Sequence, residues 1–274
     1  MLEALQRILT NLGFHLEINT FLVLFGLILA RMATAITLAP FLGGKTVSGR
    51  IKMGLAILVS MILFPNVAPQ TNLGDLNVIR VMALMVKEGL IGATLGFLTQ
   101  LVFQSIQMAG ASIDYSRGMS QATFLAPELE SNVSLIGQLQ LQASIVLFLL
   151  LNGHLMFLRA MAASFRSVPI LEFPKFSLGT LAGMERMGHY TAQSLQISLQ
   201  LAAPVLLTIF LVDASFGMVT RIAPQVRTQS ESPPVKALVG LGIVFLAMGY
   251  IVGRMPEYFT GMLLSLEQFM RNIQ

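Results

Sequence analysis

The sequence predicts an all-α protein of the membrane class, built from long hydrophobic helices with no sheet. Three observations carry this reading. The chain of 274 residues is 55% hydrophobic and only 11% charged, less than half the roughly 25% of an average soluble domain, and its mean hydropathy is +0.75. A soluble fold of that length could bury a large core but could not clothe its surface with so few charges. Apolar segments long enough for helices recur along the whole chain, separated by connections rich in Pro, Gly and Asn. No period-two alternation runs long enough to build a sheet, and no short-period repeat is visible.

Composition also excludes function classes. With no Cys, disulfides, thiol catalysis and cysteine metal sites are absent. Trp is absent too, which removes half of the usual interfacial aromatic belt. The net charge of +4 is spread as single Lys and Arg residues without a basic stripe or interleaved aromatics, so nucleic acid is not an expected partner. Met1 to Glu17 lacks a basic leading region and a small-residue cleavage site, so it does not read as a cleavable signal.

Ile18 to Ala39 is the first apolar segment, enough for ~33 Å of helix. Arg31 interrupts it midway, either paired inside a helix bundle or facing a pore. Pro40 ends it, and a basic turn with Lys45, Arg50 and Lys52 leads to a shorter apolar segment, Ile51 to Phe64. Asn66 to Asn77 reads as a loop. Val78 to Met108 is helical by pattern, with Lys87-Glu88 inside it and Gly92 and Gly96 forming a GxxxG face on which another helix can approach closely. Gln100, Gln104 and Gln107 place three amides on one face, which argues for helix contact or a wet wall rather than lipid.

Ser131 to Leu158 has no formal charge and reads as one segment. Val168 to Ser177 is a proline-containing connection, and Leu178 to Val212 a helical region in which Pro204 predicts a kink. Gly217 to Pro234 reads as a polar linker ending in Pro233-Pro234. Val235 to Ile251 is the last apolar segment, and an amphipathic tail, Tyr258 to Asn272, follows Pro256. If these six segments crossed a bilayer in alternation, seven Lys and Arg would fall on one side and eight on the other. That fixes no orientation. Either the span count is wrong, or the chain is covered largely by other protein.

Between two apolar helices lies Gln107 to Thr123, small, neutral-polar and glycine-punctuated, with Asp114 and Arg117 near its middle. Irregular backbone between membrane-grade helices is tolerated only inside protein or along a water-filled cavity. The stretch therefore reads either as a pore element or as an ordinary polar re-entrant turn. Glycines Gly110 and Gly118 permit bending, and Met108 and Met119 fill gaps adaptably.

No enzyme reading survives. Ala39 to Thr46 fits a permissive phosphate-loop pattern, but no strand precedes it and no Mg²⁺-holding Asp follows. His15, His154 and His189 are far apart and lack carboxylates at ligand spacing, so no metal and no cofactor are expected. A stand-alone secondary transporter of a small solute remains open, with Asp114, Arg117, Glu128 and Glu130 as its only clustered charges.

Several short motifs follow one another in a set order: Leu29-Ala30-Arg31-Met32 leading to Pro40, Val47 to Ala56, Glu88-x₃-Gly92-x₃-Gly96-Phe97, Gly110 to Gly118, Leu150 to Leu155, Ser164-Phe165 to Pro169, and Ala223-Pro224-Gln225. That order resembles the FliR/SctT family of type III secretion export-gate proteins. No single motif is diagnostic; the ordered set is, and it covers nearly the whole chain. Asn152-Gly153-His154-Leu155 is closer to the flagellar branch, and Ile113-Asp114-x₂-Arg117-Gly118 is similar to the injectisome (virulence) branch.

The resemblance implies an all-α export-gate subunit of hydrophobic helical hairpins with long, kinked helices. It implies a division into 1–175, resembling FliP, and a C-terminal hairpin 176–274, resembling FliQ. It implies assembly with FliP and FliQ subunits and a FlhB-like gate protein in the bacterial inner membrane, within the flagellar basal body, to pass unfolded flagellar subunits. The loop 107–123 would then be the plug, with Met108, Gly110, Asp114, Tyr115, Arg117, Gly118 and Met119 as its gate residues. Glu88, Gly92 and Gly96 would pack helices, and Arg31 would be a buried charge. The polar run 226–234 departs from the family's mostly apolar pattern, which leaves the tip of the C-terminal hairpin open.

Overall fold

The computed structural model describes residues 18–42, 44, 47–67, 77–118, 134–173, 179–223 and 228–272. Among them are seven α-helices, a single-turn 3-10 helix at Pro40–Leu42 and no strand. The helices are α1 (Ile18–Leu38), α2 (Gly49–Val67), α3 (Val78–Ser116), α4 (Leu135–Leu150), α5 (Gly153–Ser167), α6 (Gly179–Ile222) and α7 (Thr228–Asn272). Five of them are long and apolar enough to cross a membrane, or six spans if α4 and α5 together count as one. The all-α class expected from composition and pattern is what the described residues form.

Several expected boundaries are corrected. Gln107 to Ser116 is not irregular: it completes α3, which runs unbroken for 39 residues. Its small residues serve close helix approach, and Ser112 and Ser116 direct their hydroxyls back to the carbonyls of Met108 and Ser112, both at 2.9 Å. Hydroxyls bonded in this way leave the ladder intact.

Ser131 to Leu158 is not one segment, because α4 ends at Leu150 and α5 begins at Gly153. Asn152 between them adopts φ 58°, the left-handed conformation that Asn tolerates better than most side chains. The expected linker Gly217 to Pro234 is largely helical, since α6 continues to Ile222 and α7 starts at Thr228. Pro233 and Pro234 are the sixth and seventh residues of α7, just past the amides that have no intrahelical partner, so each removes one bond from the second turn. Pro256 does not separate a tail either, because α7 passes through it. Pro204 likewise lies inside a continuous α6. The turn residues Lys45 and Thr46, the loop 68–76, and Glu128 and Glu130 lie outside the described residues.

The chain forms two compact units that interleave in sequence. The first comprises Met1–Gln100, His154–Gly183 and Met262–Gln274. In it α1 and α2 run antiparallel, joined where Phe21 meets Phe64 edge-on with ring centroids 4.8 Å apart. By contrast α1 and α3 run parallel. Gly26 lies by Met85, Arg31 by Glu88, and Ala35 and Leu38 by Gly96. A Cβ at Gly92 would collide with the Arg31 carbonyl and the Thr34 hydroxyl, and one at Gly96 would come within 2.8 Å of the Leu38 Cβ. At both glycines of the GxxxG spacing the helices approach closely, backbone beside backbone. Leu24, Leu27, Ile28, Met32 and Ile36 of α1 are wholly buried.

The second unit comprises Leu101–Gly153 and Met184–Gly261. Here α3 meets α4 antiparallel at two glycines: a Cβ on Gly110 would lie 2.5 Å from the Gly137 backbone. Phe103, Phe148 and Phe259 form an aromatic cluster with centroids 5.1–5.5 Å apart, tying α7 to α3 and α4. The helices α6 and α7 pair as an antiparallel hairpin, with Asp213 bonded to Lys236 at one end and Gln200 3.4 Å from the Tyr258 hydroxyl further along.

Candidate gate-loop clamp and buried charge cluster

Each unit holds one buried polar constellation. In the first, Arg31 stands in the middle of α1 with no exposed surface. An isolated cation there would be prohibitively costly, and each of its three nitrogens has a partner. Its Nε donates to Glu88 Oε2, Nη1 to the Ser164 hydroxyl at 2.9 Å, and Nη2 to the Val168 carbonyl at 3.0 Å. The Phe165 ring lies 4.1 Å from the guanidinium carbon, a favourable cation–π separation.

Glu88 also faces Lys87, whose Nζ is 2.7 Å from Oε1. Lys87 then donates to three carbonyls of the turn after α5, Pro169 at 3.0 Å, Ile170 at 2.7 Å and Glu172 at 2.8 Å. One carboxylate thus serves two cations, and the cations bind α1, α3, α5 and the following turn together. The sequence pattern placed Arg31 and Glu88 as separate features. It missed Lys87 and Ser164 as partners, although Lys87 beside Glu88 in an apolar run was a signal.

The second constellation closes the end of α3. Asp114 and Arg117, nearly buried, pair at 3.1 Å. The other carboxylate oxygen of Asp114 accepts from the Ser134 hydroxyl at 2.7 Å and from the Ile136 amide at 2.9 Å. Ser134 is the N-cap of α4 and accepts from the Gly137 amide at 2.8 Å. A carboxylate at a helix N-terminus is favoured by the unpaired amides and the helix dipole. Arg117 Nη2 donates to the Ala237 carbonyl of α7 at 3.0 Å, and its aliphatic stem fills the space that a Cβ on Gly240 would need. Gly118 follows with φ +82°, a conformation that favours glycine.

The residues expected to gate therefore separate by role. Gly110 packs against α4, Asp114 and Arg117 join α3 to α4 and α7, and Gly118 turns the chain out of the helix. Met108 is half-buried on α3, whereas Tyr115 is 75% exposed. Met119 lies outside the described residues. Ser134, Gly137 and Gly240 were missed; only Ser134, a capping residue before an apolar run, carried a sequence signal. Among the described residues no group of His, Asp or Glu could hold a metal ion, and the Ser134 hydroxyl that meets the Asp114 carboxylate is spent on capping α4. Both are devices for joining helices.

The chain matches the model of a family described as bacterial export proteins, family 1, over residues 22–262. It is similar to the flagellar biosynthetic protein FliR of Bacillus subtilis, 27% identical over 256 residues that cover 91% of this chain and 93% of that protein. The FliR of Escherichia coli is 29% identical over 234 residues, 85% of this chain and 87% of that protein. The Yop proteins translocation protein T of Yersinia pestis is 26% identical over 247 residues, 90% of this chain and 92% of that protein. The matched region contains both buried constellations and reaches through α7 to the hairpin contact of Tyr258 with Gln200. With most of its length matched and its helices long and apolar, the chain belongs to family 1 of the bacterial export proteins.

Proposed function

We propose that this bacterial export protein is a channel-forming subunit of a flagellar type III export gate. In this reading it assembles with FliP and FliQ subunits and a FlhB-like protein in the inner membrane at the flagellar basal body. There it passes unfolded flagellar subunits without chemistry of its own. The relatives named flagellar and the one named for translocation of Yop proteins support export as the shared task. A stand-alone secondary transporter is the runner-up and an injectisome gate the further alternative, over which the flagellar form of Asn152-Gly153-His154-Leu155 favours a flagellar gate. The proposed division into a FliP-like 1–175 and a FliQ-like 176–274 draws on the α6–α7 hairpin for its second part.

The observation that carries the gating part is the clamp. Asp114 and Arg117 hold Ser134 and Ile136 on one side and Ala237 on the other. The chain from Gly118 to Ser134 is therefore secured at both ends by buried polar bonds. We assign the plug to this segment, shifted toward the C-terminus from 107–123, with Met119 in it and Asp114 and Arg117 at its base.

The test replaces 120–132 with a short Gly-Ser linker and leaves the clamp whole. Resting cells should become leaky to ions while the complex still assembles; unchanged permeability in an assembled complex would remove the plug. Purification of the chain as a stable monomer that binds a small solute, without partner subunits, would overturn the gate reading altogether and favour a transporter.

A further inference from the structure

In the first unit a cavity of about 860 Å³ opens between the C-terminal end of α2, one side of α5 and the turn that follows α5. Leu63, Val67, Ala162 and Phe165 give it apolar walls, while Arg159 and Arg166, two turns apart on α5, line it and remain exposed. Among the described residues neither arginine makes an ion pair. The turn that floors the cavity is fixed from below by Lys87 through its three carbonyl bonds, and Phe165 carries Arg31 against its ring. Two cations, Arg159 and Arg166, thus line the cavity against one acid, Glu172, while Arg31, Lys87 and Glu88 are paired behind its wall.

The position is as specific as the charge. Val67 is the last residue of a candidate membrane span, Gly49–Val67, of which only 17% is buried. Leu58, Met61 and Ile62 on that helix are 60–70% exposed, an apolar surface suited to acyl chains. An apolar helix face that ends in a cationic hollow is the chemistry that recognises anionic lipid. Arg166 in the last turn of α5 also complements that helix's dipole. That role does not extend to Arg159 two turns earlier, nor does it explain a hollow between the two.

We propose that this cavity binds the headgroup of an acidic phospholipid. The phosphate lies between the guanidinium forks of Arg159 and Arg166, which match its oxygens in pairs, and the acyl chains run along the exposed face of α2. The site is independent of the gating assignment.

The complex containing this chain, extracted from membranes in mild detergent, is incubated with phosphatidylglycerol or phosphatidylcholine, and retained lipid is counted by native mass spectrometry. The wild-type complex should keep phosphatidylglycerol and shed phosphatidylcholine. Arg159→Gln with Arg166→Gln should lower retention about tenfold, whereas the double Lys replacement, which keeps the charges but loses the paired forks, should lower it less. Equal retention of the two lipids by the wild type would overturn the proposal, whether or not the Gln variant assembles. So would equal phosphatidylglycerol on wild type and Gln variant, or its full displacement by millimolar inorganic phosphate, which marks a free-anion site. Loss of a protein subunit from the Gln variant at unchanged lipid would identify a protein occupant and likewise overturn it.

Discussion

Asp114 and Arg117 stand three residues apart at the end of α3, and each holds a different helix. Asp114 takes the N-terminus of α4 through Ser134 and Ile136, Arg117 takes the Ala237 carbonyl of α7, and the two pair at 3.1 Å. Removing either partner leaves a nearly buried charge without its counter-ion, a loss of about 3–5 kcal/mol. Asp114→Ala and Arg117→Ala should each lower the thermal unfolding midpoint of the solubilised complex. Because they share one network, the double variant should fall short of the sum, with about 0.5–3 kcal/mol of coupling. Strict additivity would show that the two side chains act separately.

The cluster around Glu88 makes an asymmetric prediction. Its carboxylate faces two cations, so Glu88→Ala leaves Arg31 and Lys87 both uncompensated in the interior of the first unit. Arg31→Met instead leaves Glu88 with Lys87 still 2.7 Å away, a residual pair. Both should destabilise, and Glu88→Ala should do more harm, at or above the upper end of about 3–5 kcal/mol. Membrane-inserted yield and unfolding midpoint measure it; equal effects would mean that Lys87 does not share the carboxylate.

Close approach of backbones makes a third. At Gly92 a side chain would meet the Arg31 carbonyl and the Thr34 hydroxyl, and at Gly110 the backbone of Gly137. Gly92→Ala and Gly110→Ala should each cost about 1–3 kcal/mol through forced separation of helices. Gly54, with nothing within 4 Å of its would-be Cβ, is the control: Gly54→Ala should be neutral or slightly stabilising, since alanine is the better helix former. Loss at Gly54 equal to that at Gly92 would show that α1 and α3 do not pack as described.

The helices were legible because hydrophobic runs and charge scarcity are properties of the chain alone. Arg31 could be read as a charge needing a partner, and the GxxxG at Gly92 as a close contact, for the same reason. What could not be read was which long-range partner each feature finds. Asp114 and its glycine neighbours looked like a break because small polar residues are ambiguous between loop and tight helix contact. Only α4, docked at Gly137, resolves them as helix. Pro256 misled in the opposite direction, since within a long helix the loss of one donor is outweighed by the bonds on either side. The break at Asn152 was passed over because the run on both sides of it is apolar.

That break yields the last prediction. Asn152 holds φ 58°, and Gly153 beside it is pressed against the Phe148 ring, leaving no room for a Cβ. A β-branched residue in the left-handed region is strained by roughly 1–2 kcal/mol, whereas glycine is free to adopt it. Asn152→Val should therefore destabilise the complex by about that amount, and Asn152→Gly should stay within about 1 kcal/mol of the wild type. Gly153→Ala acts through a different contact, by pushing Phe148 out of its cluster with Phe103 and Phe259, and should perturb tertiary packing while helix content is kept. Near-ultraviolet circular dichroism against the far-ultraviolet signal separates the two effects. If Asn152→Val proves as stable as Asn152→Gly, the positive φ at this joint is not a feature of the folded chain.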